Sequence, residues 1–280
     1  MDNENTPGHG KGLLQHGADA PQVGGDSDSP LLVAVGVSKS FGGVIAVDNV
    51  DFAVGPGESI GLVGPNGAGK TTLFNCICGQ YLNDSGSVEF KGVTLGQMPT
   101  YKRARLGIGR TYQRVEVFPE LTVERHLLVA ERARRGDGRL WKDLCNRSAP
   151  RPEELENVNH VLELVDLLDV RDTPLSALGL GMCRLVELAR ALIGQPDLLM
   201  ADEPSSGLDV HETKDLAQVL RSLQRERGMA VILVEHDLAM VGEVVDRAVV
   251  MDLGRIIASG TFDEVMAEPE VRRAYLGVSS

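Results

Sequence analysis

Gly64-Pro65-Asn66-Gly67-Ala68-Gly69-Lys70-Thr71-Thr72 matches the pattern G-x-x-x-x-G-K-[ST]. The run ESIGLVG that leads into it reads as a strand, and Thr71 to about Gly79 reads as an apolar-periodic helix. A strand–loop–helix unit of this kind is a phosphate cradle. Its glycines let successive backbone N–H groups turn inward around a pyrophosphate without Cβ clashes, and the helix points its positive dipole end at the anion. Lys70 then reaches the β- and γ-phosphates as a point charge, Thr71 ligates Mg²⁺, and Thr72 adds a hydroxyl near the α-phosphate. The plainer reading is a Gly-rich turn with a stray lysine. At average composition the four fixed positions match by chance in roughly one chain of this length in a hundred, and the flanking strand and helix lower that further.

A second piece lies about 130 residues downstream, where Leu198-Leu199-Met200-Ala201 runs into Asp202-Glu203 and Pro204. It reads as a buried strand ending in adjacent carboxylates. At such a strand end one acid holds Mg²⁺ through its water shell, and a second can polarise the attacking water as general base. Alone, an apolar run followed by Asp-Glu is often just a strand leaving the core. Placed after a phosphate loop, it assigns the cation to Asp202 and the water to Glu203.

Around these pieces, Leu31–Val37, Ala46–Val54 and Glu58–Gly64 read as early strands, with a hairpin from Ser87–Lys91 and Val93–Leu95. A mostly helical stretch follows from about Pro99 to Ala191. Strands at Leu198–Ala201, Val231–Val234 and Ala248–Met251 then alternate with helices, each a continuous apolar run of the kind buried on both faces of a parallel sheet. Residues 1–30 are rich in Gly, Asp, Asn, Ser and Pro without apolar period, which predicts a disordered tail.

Composition narrows the partners. The chain carries 28 Lys+Arg against 40 Asp+Glu, a net charge of −12, and only 4% aromatics. That balance argues against a nucleic-acid binder, which shows a Lys/Arg surplus and stacking platforms. No apolar stretch approaches the roughly 20 residues needed to span a bilayer, and no basic-then-apolar signal pattern opens the chain. Cys76, Cys78, Cys145 and Cys183 fall at unrelated spacings and read as reduced thiols rather than a zinc or disulfide framework.

With these motifs in register, the chain resembles the ATP-binding-cassette (ABC) ATPase family across nearly all of Leu31–Gly277. The resemblance implies an α/β P-loop NTPase fold with a mixed or parallel sheet core, an N-terminal antiparallel β subdomain and an inserted α-helical subdomain at about 100–190. Residues 31–277 then form a single ATP-binding domain. It further implies that Phe41, 29 residues before Lys70, stacks on adenine and that Ala46 supplies a small apolar contact. Gln113 falls at the family's glutamine loop, which senses Mg²⁺ and the γ-phosphate and faces the membrane subunit. Ser206-Gly207-Leu208-Asp209 resembles the loop that crosses the dimer interface, and His236, after Val231–Val234, matches the switch histidine at the γ-phosphate. A histidine at a strand end is by itself more simply a backbone-bonded residue; the register gives it the functional role.

The signature motif departs from the family pattern. Leu178-Gly179-Leu180-Gly181-Met182 stands where the family has LSGGQ. Gly181 keeps the backbone donor, Gly179 lacks the serine hydroxyl, and Met182 replaces the glutamine. A lost hydrogen bond to a charged phosphate is worth about 1.5–3 kcal/mol. Leu175-Ser176-Ala177 offers a second register that retains a serine but breaks the spacing to the helix. ABC dimers form two composite sites, so a heterodimer with a second ABC ATPase is expected, with a homodimer as the alternative.

Gly107–Gln113 and Glu268–Gly277 resemble the ATPases of branched-chain amino acid importers, whose relatives include urea and amide importers. The resemblance implies ATP and Mg²⁺, transmembrane permease subunits, an extracytoplasmic solute-binding protein acting indirectly, and a peripheral place on the cytoplasmic face of the membrane. The leading function is ATP hydrolysis that powers transport through the permeases. The alternative is a nucleotide-gated, weakly hydrolysing subunit, and a soluble cassette of the repair or translation type ranks third. Between residues 100 and 151 there are 13 Lys/Arg against 6 Asp/Glu, a local +7. That surplus reads either as a solvated helical face or as a surface toward the permease and anionic headgroups, with Arg132, Arg134 and Arg135 as its test residues.

Overall fold

Short apolar runs become strands with both faces covered. The computed structural model describes residues 29–111, 118–136 and 149–276 and arranges its strands in two sheets. The smaller is antiparallel, in the order β2-β1-β4-β5, from β1 (Leu32–Phe41), β2 (Val44–Val54), β4 (Ser85–Phe90) and β5 (Val93–Thr94). The larger runs β10-β9-β3-β8-β7-β6. Its strands are β3 (Ser59–Val63), β6 (Ile108–Arg110), β7 (Leu198–Asp202), β8 (Ala230–Val234), β9 (Arg247–Asp252) and β10 (Arg255–Gly260). From β9 to β6 every neighbour is parallel, and β10 closes the edge antiparallel to β9.

Alternate residues of the large sheet serve two cores. Ile60, Leu62, Met200 and Ile232 pack with Leu73, Phe74 and Ile77 of α1 (Lys70–Cys78) and with Leu32, Phe52 and Phe90 of the antiparallel sheet. Val63, Leu199, Leu233 and Val250 face the other way. They meet the helices α3 (Val123–Arg135), α4 (Pro152–Leu164), α5 (Leu180–Leu192), α6 (Val210–Arg227) and α7 (Leu238–Val244). Burying one such side chain contributes about 1.5–3 kcal/mol, so continuous rather than alternating hydrophobicity is what this sheet requires.

Two strands depart from the expected pattern. β6 lies inside the stretch expected to be mostly helical and follows α2 (Thr100–Leu106) through Gly107. Three residues, one of them a glycine wedged against Pro196 and the Ala191 carbonyl, are too few to show a period. β10 is a half-exposed edge strand without a continuous apolar run. The chain closes with α8 (Phe262–Ala267) and α9 (Pro269–Leu276).

The basic segment turns inward at the residues that carried its lipid-facing reading. Arg132 pairs with Glu154 at 3.2 Å, Arg134 with Glu131 at 2.9 Å, and Arg135 with Glu131 at 2.5 Å and Glu153 at 3.2 Å. Glu131 and Glu154 are buried. Arg132 and Arg135 therefore join α3 to α4, Arg134 pairs within α3, and reversing these charges would break a network built on two buried carboxylates. Tyr112, Gln113 and Cys145 lie outside the described residues.

Arg103 anchors the phosphate-loop helix from behind. Its side chain is buried, yet among the described residues no carboxylate pairs with it. Instead it donates to the carbonyls of Met98, Cys76, Ile77 and Gly96, each at 2.8 Å. Two of these belong to the last turn of α1, which carries the negative dipole end; the Cys76 carbonyl also accepts from Gly79 N–H at 3.2 Å. Replacing Arg103 with Met strands several buried acceptors at about 1–3 kcal/mol each. We expect Arg103→Met to lower the unfolding free energy by about 3 kcal/mol or more, read by urea denaturation, and a loss below about 1 kcal/mol would contradict this anchoring.

Candidate active site

The phosphate loop leaves β3 at Gly64, with φ 145°, and enters α1 after Gly69, with φ 101°. A Cβ at Gly64 would run into the Met251 carbonyl oxygen, and one at Gly69 into that of Ala46. The backbones of β9 and β2 therefore press directly on the loop, and only glycine fits. Ala68 N–H donates to Pro65 at 3.2 Å, and Gly254 N–H donates to Ala68 at 2.9 Å, fixing the loop from within and from the β9–β10 turn. At Gly67 a Cβ would meet nothing within 4 Å, so the loop crest is open. No side chain caps α1, which leaves its first N–H groups available to an anion.

Lys70 curls back over this loop, donating from Nζ to the carbonyls of Gly64 at 2.8 Å and Pro65 at 3.0 Å. Burial pulls its ammonium below the usual lysine range, and the Glu203 and Asp202 carboxylates act in the opposite direction. Thr71 is exposed and Thr72 half-buried at the start of the helix.

Parallel pairing brings the acidic pair to the same edge. Leu62 and Asp202 both sit level with Val234 across β8. Asp202 is 2% exposed, its backbone N–H donates to Thr111 Oγ1 at 3.4 Å, and Arg110 Nη2 lies 3.9 Å from its Oδ2. The Arg110 guanidinium is itself stacked over the Phe74 ring at 4.8 Å. Burial pushes the Asp202 carboxyl up to about 6, against the pull of Arg110. Its Oδ1 is buried with no hydrogen-bond partner. An orphaned carboxylate oxygen is the donor a hard divalent cation takes. Among the described residues no three His, Cys, Asp or Glu side chains converge, so an ion here would complete its shell with water and phosphate oxygens, as Mg²⁺ does.

Glu203 has a φ of +47°, the left-handed region, which costs a non-glycine residue about 1–2 kcal/mol. Its N–H donates to the Val234 carbonyl at 2.8 Å, so β8 holds it in that conformation. One residue further along β8's exit, Glu235 is fully buried and accepts from Ser205 N–H at 2.9 Å, Ser205 Oγ at 2.6 Å and His236 N–H at 3.0 Å. The His236 side chain is 64% exposed at the rim. Sequence reading singled out His236 and passed over Glu235, although a carboxylate directly after a five-residue apolar strand was a usable signal.

Phe41, at the tip of β1, stacks edge-to-face on Tyr81 with centroids 5.2 Å apart, beneath the Lys39 ammonium at 5.4 Å. Ala46 is half-buried in β2, its carbonyl against the loop at Gly69. The segment aligned with the signature forms a second cluster. α5 starts at Leu180 with Gly179 as its N-cap, and Gly179 and Met182 are exposed. Gly181 N–H faces Glu212 Oε1 at 3.3 Å. Ser176, from the competing register, lies in a separate 3₁₀ turn, Leu175–Ala177. The Ser206 carbonyl accepts from Arg184 Nη2 at 3.0 Å, and Asp209 caps α6 by accepting from His211 and Glu212 N–H groups at 2.8 and 2.9 Å. Gln113 lies outside the described residues.

The chain matches known proteins over the same span. A family model described as "ABC transporter" matches residues 47–206, and one described as "Branched-chain amino acid ATP-binding cassette transporter" matches residues 255–279. The chain is 38% identical over 251 residues to the high-affinity branched-chain amino acid transport ATP-binding protein LivG of Escherichia coli (strain K12), covering 89% of this chain and 98% of the relative. It is 37% identical to BraF, which carries the same description, of Pseudomonas aeruginosa, with the same coverage. Among solved structures, the ADP conformation of MJ1267, an ATP-binding cassette of an ABC transporter, superposes with a TM-score of 0.81 at 30% identity over 89% of this chain and all of that one. A nucleotide-free cassette gives 0.79 at 29% identity over 90% of this chain and all of that one. The chain belongs to the ABC transporter ATP-binding family, the nucleotide-binding subunits whose general activity is ATP hydrolysis driving transport.

Proposed function

We propose that this chain powers uptake of branched-chain amino acids, or of closely related small polar solutes, through partner permeases. The observation that carries the substrate class is the match of residues 255–279 to the branched-chain cassette family, beside relatives named for that transport. Nothing in the comparisons supports the weakly hydrolysing alternative.

In this reading the adenine of ATP lies on Phe41 with Ala46 beneath it, and Gly64–Thr72 wrap the phosphates. Lys70 exchanges its loop carbonyls for phosphate oxygens, a stronger charge-assisted contact. Thr71 and Asp202, with Gln113, would hold Mg²⁺, which when bound neutralises charge developing on the phosphate oxygens. Glu203 orients a water and accepts its proton as the oxygen attacks the γ-phosphorus; the bond to the β-phosphate oxygen breaks, and ADP leaves with that electron pair. His236 donates to the γ-phosphate. A second ABC ATPase, a different chain in the preferred arrangement and a copy of this one in the alternative, presents its signature segment to close the site. Gly179, Gly181 and Met182, with Ser206 and Asp209, do the same for the partner's nucleotide. The exposed N-terminus of α5 supports this. Among the described residues no helix is long and apolar enough to cross a membrane. Attachment to the cytoplasmic face therefore runs through permeases, with a solute-binding protein acting from the opposite side.

In proteoliposomes holding the assembled transporter, labelled leucine, isoleucine or valine should accumulate with ATP inside and binding protein outside. Uptake of urea instead would overturn the substrate class. Glu203→Gln should cut ATP turnover about 10²-fold or more while nucleotide affinity stays within about threefold; unchanged turnover would remove Glu203 from the chemistry.

Asp202 also makes stability depend on pH. Its folded pKa of about 6 lies above the ordinary 3.8, so between these values the folded chain binds more protons. The sign is therefore a loss of stability as pH rises through that window, by up to about 3 kcal/mol. Ligand-free Asp202→Asn should accordingly be more stable than wild type at pH 8 and close to it near pH 4. Equal denaturant midpoints at pH 8 would contradict this.

A further inference from the structure

Glu235 holds two loops with one carboxylate. Oε1 accepts from Ser205 N–H at 2.9 Å and Ser205 Oγ at 2.6 Å, while Oε2 accepts from His236 N–H at 3.0 Å and Asp237 N–H at 3.5 Å. The His236 ring nitrogen Nδ1 lies 3.6 Å from the same Oε2. The residue is fully buried, and among the described residues no lysine or arginine pairs with it. A carboxylate in that setting is costly unless donors satisfy both oxygens, and here each oxygen is satisfied by a different segment. Helix capping does not account for it. α7 is capped by Asp237, which accepts from Ala239 and Met240 N–H groups at 2.9 and 3.2 Å.

What the two segments carry gives the contact its meaning. Ser205 stands two residues after Glu203, and the Glu203 N–H is tied to Val234, the residue before Glu235. The turn Glu203–Ser205 is thus pinned at both ends by consecutive residues of β8's exit, and the same exit delivers His236. We infer that Glu235 is a positioning residue for ATP hydrolysis, setting the general base Glu203 and the γ-phosphate contact His236 at a fixed separation. This rests on the roles proposed above for Glu203 and His236. Misplacing a reacting group by about 1 Å can cost about 10²-fold in rate, and Glu235 is the carboxylate that joins the loop carrying Glu203 to the one carrying His236.

The test uses the full chain in its assembled transporter. In Glu235→Gln the amide keeps one acceptor oxygen and turns an NH₂ toward donors at the other end, so one loop is released. We expect kcat for ATP to fall between about 10- and 10²-fold, with KM within about threefold. Ser205→Ala removes the hydroxyl donor alone and leaves the backbone one, so it should show a smaller kcat loss with the same unchanged KM. The double variant should be no worse than Glu235→Gln by itself, because both act through one contact. An unchanged kcat in Glu235→Gln, a kcat loss matched by lost nucleotide affinity, or additive losses in the double variant would each overturn the inference. Where Glu235→Gln fails to assemble, Ser205→Ala decides by the same kcat and KM split. Glu203→Gln in parallel separates the two levels. If it loses turnover while Glu235→Gln does not, only the positioning role fails; if it turns over normally, the reading beneath fails first.

Discussion

The register of the parallel strands is the constraint on which the rest of the site depends. Leu62 and Asp202 both sit level with Val234, and Arg110 pairs with Met200, two residues before Asp202. Parallel strands deliver their carboxyl ends to one edge, so the phosphate loop, the acidic pair and the Glu235–His236 turn emerge together although they lie some 170 residues apart in the chain. A one-residue slip in any strand would exchange its two buried faces as well as displace its terminal functional group. Core packing and site geometry are therefore specified by the same hydrogen bonds, and the arginine-anchored rear of α1 keeps the loop from moving relative to that edge.

Electrostatically the edge is kept out of balance. Asp202 is buried beside Arg110 at a 3.9 Å separation too long for a hydrogen bond, with one oxygen unpartnered. Lys70 spends its donors on loop carbonyls rather than on a carboxylate. Such unfavourable arrangements persist only because the surrounding sheet over-determines them, and the left-handed Glu203 held by Val234 is the backbone counterpart.

Legibility in the sequence followed the range of the physics involved. The phosphate loop, the apolar strands and the acidic pair are local patterns, and the strands read from apolar runs fall within a residue or two of them, except that β1 runs on to Phe41, four residues past Val37. β6 escaped because three residues carry no period, and its strand character comes entirely from pairing with β7. The arginines of α3 illustrate the opposite failure. A charge count sees Arg132, Arg134 and Arg135 as a surplus, whereas Glu131 lies three and four residues from Arg134 and Arg135 on the same helix, and helix packing brings Glu153 to Arg135 and Glu154 to Arg132. Glu235 escaped for a related reason: its partner Ser205 is 30 residues away, and only the β7–β8 pairing joins them.

The departures in the signature segment weigh less than the missing serine suggests, because what a helix N-terminus offers an anion is backbone. α5 begins at Leu180 after Gly179, so the N–H groups of Leu180, Gly181 and Met182 fall in its first turn whatever their side chains. Gly179 removes one hydroxyl, a contact worth about 1.5–3 kcal/mol against a charged phosphate, and leaves the cradle in place. The segment is held from below rather than by its own side chains: Arg184 reaches the Ser206 carbonyl, and the Glu212 carboxylate faces Gly181 N–H while also accepting from Asp209 N–H. Those contacts tie α5 to the loop that leaves Glu203, and Glu235 ties that loop to His236. A run of hydrogen bonds within this chain thereby joins the first turn of α5 to the loop that follows the acidic pair, and none of them needs a hydroxyl at position 179.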